Sequence, residues 1–186
     1  MPSDLTYTPA AGHHWLTPVY DFGVAALTRE RRWRNALVAQ VRPRAGDVIV
    51  DVGCGTGSLL VRLGKVAPSA RLVGIDPDPA VVARARKKLA AAGLTAELHI
   101  GFARQAAELL ASPPPTRIVS SLVFHQVPME EKVGALAAMH AALGASGEVH
   151  IADYGLQRTP LMRGLFRAII QNLDGHVNTQ PNADGI

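Results

Sequence analysis

Val48-Ile49-Val50-Asp51-Val52-Gly53-Cys54-Gly55-Thr56-Gly57-Ser58-Leu59-Leu60 is the stretch on which the reading of this chain turns. Apolar, β-branched residues run from 48 to 52 with a single acid among them. That loss of polar alternation marks a strand covered on both faces, as in a parallel sheet. Glycines at 53, 55 and 57 then break the run, and an apolar helical stripe resumes at Leu59, Leu60 and Leu63. The order is strand, tight turn, helix. Glycine in the turn permits positive φ and lets a ligand lie against bare backbone. The helix opening near Ser58 offers unpaired N–H groups and the positive end of its dipole.

A dinucleotide-binding turn reads G-x-G-x-x-G and seats a pyrophosphate. Here the third glycine comes one position early, at 57, and residue 58 is serine. Asp51, two residues before the first glycine, would repel a pyrophosphate but suits the cationic amino group of an amino-acid-like ligand. A nicotinamide-dependent oxidoreductase is therefore the weaker alternative. The stretch resembles motif I of the class I S-adenosylmethionine (AdoMet)-dependent methyltransferases, hydrophobic-D-hydrophobic-G-x-G-x-G. The resemblance implies a Rossmann-like α/β fold, a doubly wound, mainly parallel sheet flanked by helices. It also implies AdoMet as cofactor, S-adenosylhomocysteine as product, and methyl transfer to a small-molecule acceptor. On that basis Asp51 would meet the methionine amino group, directly or through water. Gly53, Gly55 and Gly57 would allow close backbone approach, with Cys54 as a small residue lining the turn. An AdoMet-binding regulatory protein without turnover is the other alternative.

Further along, Arg71 to Asp76 reads as a second strand ending in an acid 25 residues after Asp51, near the offset at which an acid meets a ribose hydroxyl pair. Gly74-Ile75-Asp76-Pro77-Asp78-Pro79 resembles motif II of the same family, which adds Asp76 and Pro77 to the candidate site. Asp78 and Pro79 fit N-cap and N1 of a helix that Gly93 closes, with Arg84, Arg86, Lys87 and Lys88 on its solvated side. Ala96 to Ile100 alternates as a third strand. The family carries an acid just after this strand. Here Phe102 and Ala103 hold the place, and Phe102 could pack on the adenine ring.

Arg117 to Pro128 is a fourth strand with its exit loop and resembles the family's motif IV. Ligands of doubly wound sheets sit at the carboxyl ends of strands near the switch in strand order. That puts Ser120, Ser121 and His125 beside the methionine part of AdoMet. His125 is the candidate general base, with an unperturbed pKa of ~6.5 suited to neutral pH; a loop histidine shaping the pocket is the alternative. Gly147 to Tyr154 is a fifth strand, and Leu161 to Leu173 another helix. The family sheet has seven strands, the last two an antiparallel hairpin. Only five can be found, so the chain is expected to lack that hairpin, leaving an exposed strand edge on which a homodimer could pair.

Ahead of motif I, Leu16-Thr17-Pro18-Val19-Tyr20-Asp21 resembles the T-P-x-Y-D stretch of methyltransferases related to ubiquinone/menaquinone biosynthesis. There the segment closes over cofactor and substrate, which makes Tyr20 a candidate contact or, alternatively, an aromatic plug on the core. Residues 24–41 read as an amphipathic helix ended by Pro43. One methyltransferase domain is expected over 1–186, with a helical lid over 1–45, a cofactor-binding core over 46–155 and a C-terminal helix and tail over 156–186.

Composition agrees with a packed core: 48% of the 186 residues are hydrophobic and 18% charged. The net charge of +4 is concentrated in residues 1–46, which hold +3 of it. That arginine cluster is read as a solvated helix face, not a nucleic-acid surface. Ser120-Ser121-Leu122-Val123 is also not the acceptor motif of a nucleic-acid methyltransferase. A single cysteine, Cys54, rules out an internal disulfide and a zinc cluster, and no metal site is expected. Met1-Pro2-Ser3-Asp4 lacks the basic start and apolar core of a secretory signal. No apolar run reaches the ~18 residues of a membrane span. A cytoplasmic protein is the expectation.

Overall fold

The computed structural model describes residues 30–110, 113–171 and 179. The N-terminal segment with Tyr20 lies outside them. Contacts divide the chain into two compact units. One spans Arg32–Phe124 and Pro128–Asp153 and contains the sheet. The described residues of the other are 30–31, His125–Val127, 154–171 and Thr179.

The elements of the sheet unit follow the sequence pattern. Helix α1 is Glu30–Val41, β1 is Val48–Val52, α2 is Ser58–Val66 and β2 is Arg71–Asp76. Then come α3 (Pro79–Ala91), β3 (Glu97–Ile100), a 3-10 turn at Ala103–Gln105 leading into the short α4 (Ala106–Leu109), and β4 (Arg117–Ser121). Helix α5 (Met129–Ala142) and β5 (Glu148–Ala152) complete the unit. The strand order is β3-β2-β1-β4-β5, with every pairing parallel. This is the doubly wound sheet expected from the sequence, wholly rather than mainly parallel among the described residues. The order reverses between β1 and β4, which places the switch point beside β1.

All five residues of β1 are buried. Its alternate side chains feed two separate cores. Ile49 packs with Leu37 and Val41 of α1, Leu59, Leu60 and Leu63 of α2, and Leu89 of α3. Val50 and Val52 pack with Val73, Ile75, Ile118 and Met139 of α5. A strand alternates faces residue by residue, so Asp51 shares the side of Ile49, under α1 and α2. Each fully buried leucine of α2 contributes about 1.5–3 kcal/mol, which fixes the helix that follows the glycine turn.

Asp78 caps α3 as expected, its Oδ1 accepting from the N–H groups of Ala80 at 2.8 Å and Val81 at 3.3 Å. Gly93, at φ 68°, follows the helix C-cap. The strands are a little shorter than their apolar runs: β3 starts at Glu97, and β5 covers 148–152 instead of 147–154. In the second unit, the helix expected over 161–173 is α6, Pro160–Phe166, continued by a π-helical turn at Arg167–Gln171. β5 pairs only with β4 among the described residues.

Candidate functional site

The glycine turn is built from β2 as much as from β1. The Ile75 carbonyl accepts from the N–H groups of Gly53 at 2.8 Å and Cys54 at 3.0 Å. Gly53, Gly55 and Gly57 have φ of 74°, 52° and 76°, where a side chain is strained. Each has different surroundings. A Cβ on Gly53 would clash with Val123 Cγ2, and one on Gly57 would lie 3.2 Å from Ala85 Cβ of α3. One on Gly55 would meet nothing within 4 Å. Packing against Val123 thus excludes a side chain at Gly53, Gly57 is tight against Ala85, and Gly55 faces open space.

Asp76 ties the second strand to this turn. Its Oδ2 accepts from the Gly55 N–H at 2.9 Å and its Oδ1 from the Asp78 N–H at 3.0 Å. Burial raises its pKa while these two N–H groups work against the rise. Each carboxylate oxygen keeps a lone pair for a further donor, as a ribose hydroxyl pair needs. The Gly101 N–H donates to the Asp76 carbonyl at 3.1 Å, which brings the Phe102–Ala103 segment alongside. Phe102 is engaged there: its N–H donates to Gln105 Oε1 at 2.9 Å, and the Arg104 guanidinium lies 4.6 Å over its ring.

Asp51 is different. It is 1% exposed, and its Oδ1 has no hydrogen-bond partner among the described residues. Burial pushes its carboxyl up to about 7; the Arg34 guanidinium opposes the rise and the Asp76 charge adds to it. A buried polar atom without a partner costs about 1–3 kcal/mol, so the position is maintained against stability. Helix α2 opens beside it on Gly57, which can supply no side-chain cap. An orphaned acceptor, an uncapped helix start and open space at Gly55 fit a ligand carrying both an ammonium and a carboxylate. The residues present therefore suit AdoMet.

The remaining candidates divide. Ser120 is fully buried and its Oγ donates to the Val52 carbonyl at 2.8 Å. The β1–β4 register runs only from Ile49↔Arg117 to Asp51↔Val119, so this hydroxyl continues the pairing where the strands separate. Ser121 and Pro77 are half-buried at the ends of β4 and β2. Cys54 points into the core, its sulfur 2.9 Å from where a Cβ on Gly74 would stand. Burial, with the charges of Asp51 and Asp76, pushes its thiol well above the usual range, so it offers no nucleophile. His125 belongs to the second unit, 2% exposed, its ring edge-on to Tyr154 at 4.8 Å.

Three participants were not legible as such. Val123 covers Gly53, and the preceding Leu122 takes φ 56°, a strained value for a leucine. Lys88 is exposed, as its sequence places it, and also donates to Thr56 Oγ1 at 2.7 Å and Ser58 Oγ at 2.9 Å. Its position one turn beyond Ala85 was the available signal. Among the described residues no group of three or more His, Cys, Asp or Glu side chains could hold a metal ion, and no helix is long and apolar enough to cross a membrane.

The family described as a methyltransferase domain matches residues 49–147, more than half of the chain, from β1 through β4 and α5 to the residue before β5. The chain belongs to that methyltransferase-domain family. Curated relatives include a demethylmenaquinone methyltransferase of Chlorobaculum parvum, 27% identical over 85% of this chain and 64% of its own length. Another is the ubiquinone/menaquinone biosynthesis C-methyltransferase UbiE of a Marinomonas species, 25% identical over 73% of this chain and 54% of its own. The chain thus spans less than two thirds of the length of these relatives. Its fold is shared with a SAM-dependent methyltransferase from Thiobacillus denitrificans, solved with S-adenosyl-L-homocysteine. That structure has a TM-score of 0.58 at 17% identity, covering 76% of this chain and 55% of the other.

Proposed function

We propose that the chain binds AdoMet at the carboxyl ends of β1 and β2 and catalyses transfer of its methyl group to a small-molecule acceptor. The observation that carries this reading is the buried, unpartnered Asp51 Oδ1 beside a glycine turn that Asp76 holds in place. When bound, AdoMet supplies an electrophilic methyl on a sulfonium sulfur. Asp51 then accepts from the ligand ammonium, and Asp76 accepts from the ribose hydroxyls while retaining the Gly55 and Asp78 N–H groups. The α2 amides take the ligand carboxylate. Ser120, through its bond to the Val52 carbonyl, would hold the spacing of β1 and β4 at the switch point beside the bound cofactor. The protein's contribution is chiefly to hold donor and acceptor within attack distance.

The named relatives suggest a quinone-type ring as acceptor, methylated at carbon. His125 is the proposed base that removes the acceptor's proton, and the site is offered to a small molecule in preference to nucleic acid. Tyr20, Phe102, Ala103 and Ser121 complete the proposed cofactor contacts. The outer edge of β5, which pairs only with β4 among the described residues, is the proposed pairing face of a homodimer.

Calorimetric titration of the full chain with S-adenosylhomocysteine, and separately with NAD, tests the cofactor assignment. Micromolar binding of the first without the second is expected. Binding of NAD alone would overturn the proposal. Incorporation of label from methyl-labelled AdoMet into a reduced naphthoquinone lacking the ring methyl then tests the acceptor class.

A further inference from the structure

We infer that Lys88 is a positioning residue of the cofactor turn. Its ammonium ties Thr56 and Ser58, which flank Gly57, and so holds the start of α2 in the geometry that presents Gly55 and Asp51 to the ligand. This rests on the proposed AdoMet site, and it assigns Lys88 no contact with cofactor or acceptor.

Three observations lead to it. The two hydrogen bonds, 2.7 Å to Thr56 Oγ1 and 2.9 Å to Ser58 Oγ, span the left-handed residue at which the turn becomes a helix. Neither hydroxyl is used as the side-chain cap of α2, since the cap position is Gly57. The same face of α3 is seated one turn earlier, where Ala85 lies 3.2 Å from the position of a Cβ on Gly57. α3 follows directly from Asp76 through Pro77 and the Asp78 cap. One rigid helix therefore connects the acid at the end of β2 with the turn at the end of β1, and Lys88 is its polar attachment.

The electrostatics argue against a purely stabilising role. An ammonium beside the first residues of α2 faces the positive end of that helix dipole, and its two acceptors there are neutral hydroxyls in solvent-exposed hydrogen bonds, which exchange for bonds to water at little net gain. Holding a lysine in one rotamer also costs side-chain entropy. A cation kept in that place is explained better by the geometry it imposes on the turn. Lysine in the last turn of α3 is favourable for that helix by itself, but this would not require its tip to bridge two hydroxyls of another element.

The test is a double-mutant cycle read by S-adenosylhomocysteine affinity, with apo thermal midpoint measured in parallel. Lys88→Met is expected to weaken binding roughly tenfold while leaving the apo midpoint nearly unchanged. Thr56→Ala combined with Ser58→Ala should weaken it similarly. The triple variant should be no weaker than either parent, because all three changes remove one linkage. Lys88→Arg, which keeps the charge and donors, should recover part of the loss. Unchanged affinity in Lys88→Met, fully additive losses, or affinity falling only in step with the midpoint would each overturn the assignment while leaving the AdoMet site standing. Absence of binding by the unsubstituted chain would overturn both.

Discussion

Two aspartates stand at opposite ends of the same strand and have opposite surroundings. Asp47, just before β1, has both oxygens occupied: Oδ2 accepts from the Arg44 N–H at 2.7 Å, and Oδ1 from the Thr116 hydroxyl at 2.8 Å. Asp51, four residues on, is more deeply buried and has an oxygen with no partner. The first joins the loop before β1 to the loop before β4 and is satisfied by the chain itself. The second keeps an acceptor that no described residue satisfies. The two carboxylates are both buried, and it is their hydrogen-bond partners that differ.

Substituting each residue should therefore give mirror-image results. Asp51→Asn is expected to lower S-adenosylhomocysteine affinity at least about a hundredfold, since a buried charge-assisted hydrogen bond is lost. It should also raise the apo thermal midpoint at pH 8, because a desolvated charge is removed. Asp47→Ala should leave affinity within about twofold while costing roughly 1–3 kcal/mol of stability, through the stranded Arg44 and Thr116 donors. Chemical denaturation and calorimetry on the two variants would decide it. Equal losses of binding would remove the contrast.

Gly53→Ala comes next in size. The new methyl would overlap the Val123 side chain and force a non-glycine residue to φ 74°. The backbone term alone is about 1–2 kcal/mol, and displacing the 122–123 loop adds to it. Gly55→Ala has the same backbone strain but no protein contact, so its loss should fall more on affinity than on stability. Measuring both ratios separates packing glycines from ligand-facing ones.

The pH dependence should distinguish the two acids as well. Asp51 is raised from 3.8 to about 7 in the folded chain, so the folded state holds its proton more tightly than the unfolded state. Its contribution to apo stability is favourable below pH ~4 and is lost as pH climbs to about 7, with no further change above. Binding an ammonium requires the ionised form. Affinity should thus be flat above pH 7 and fall about tenfold per unit below it, with proton release on binding in that range. Calorimetry in two buffers of different ionisation enthalpy reads this directly. Asp51→Asn should abolish the slope.

How far all this was legible in the sequence depends on whether a feature is local. β1, its turn, the Asp78 cap and the Gly93 stop are set by neighbours along the chain, and each appears where the residues place it. The doubly wound order follows from strands alternating with helices. Partnerships between elements were not written in any short stretch. Val123 covering Gly53, Lys88 reaching Thr56 and Ser58, and Cys54 filling the space above Gly74 all depend on how helices and loops seat on the sheet. Phe102 in the place of an acid was visible; its coverage by Arg104 was not. The two strands shorter than their apolar runs, β3 and β5, are those that pair on one side only among the described residues.

Ser120 gives the smallest and most discriminating effect. Its side chain is fully buried, at the end of a β1–β4 pairing whose backbone register stops at Asp51↔Val119. Ser120→Ala removes the hydroxyl and strands the Val52 carbonyl, at a cost of about 1 kcal/mol. If the hydroxyl only stabilises the sheet, cofactor affinity and turnover should be unchanged per folded molecule. If it sets the separation of β1 and β4 at the switch point, the loss should appear in kcat with little change in cofactor affinity, because Asp51 and Asp76 still hold the ligand's amino and ribose groups. Ser120→Thr keeps the donor but adds a methyl in a site with no exposed surface. It should restore kcat only if the hydrogen bond, and not the serine's volume, fixes the gap.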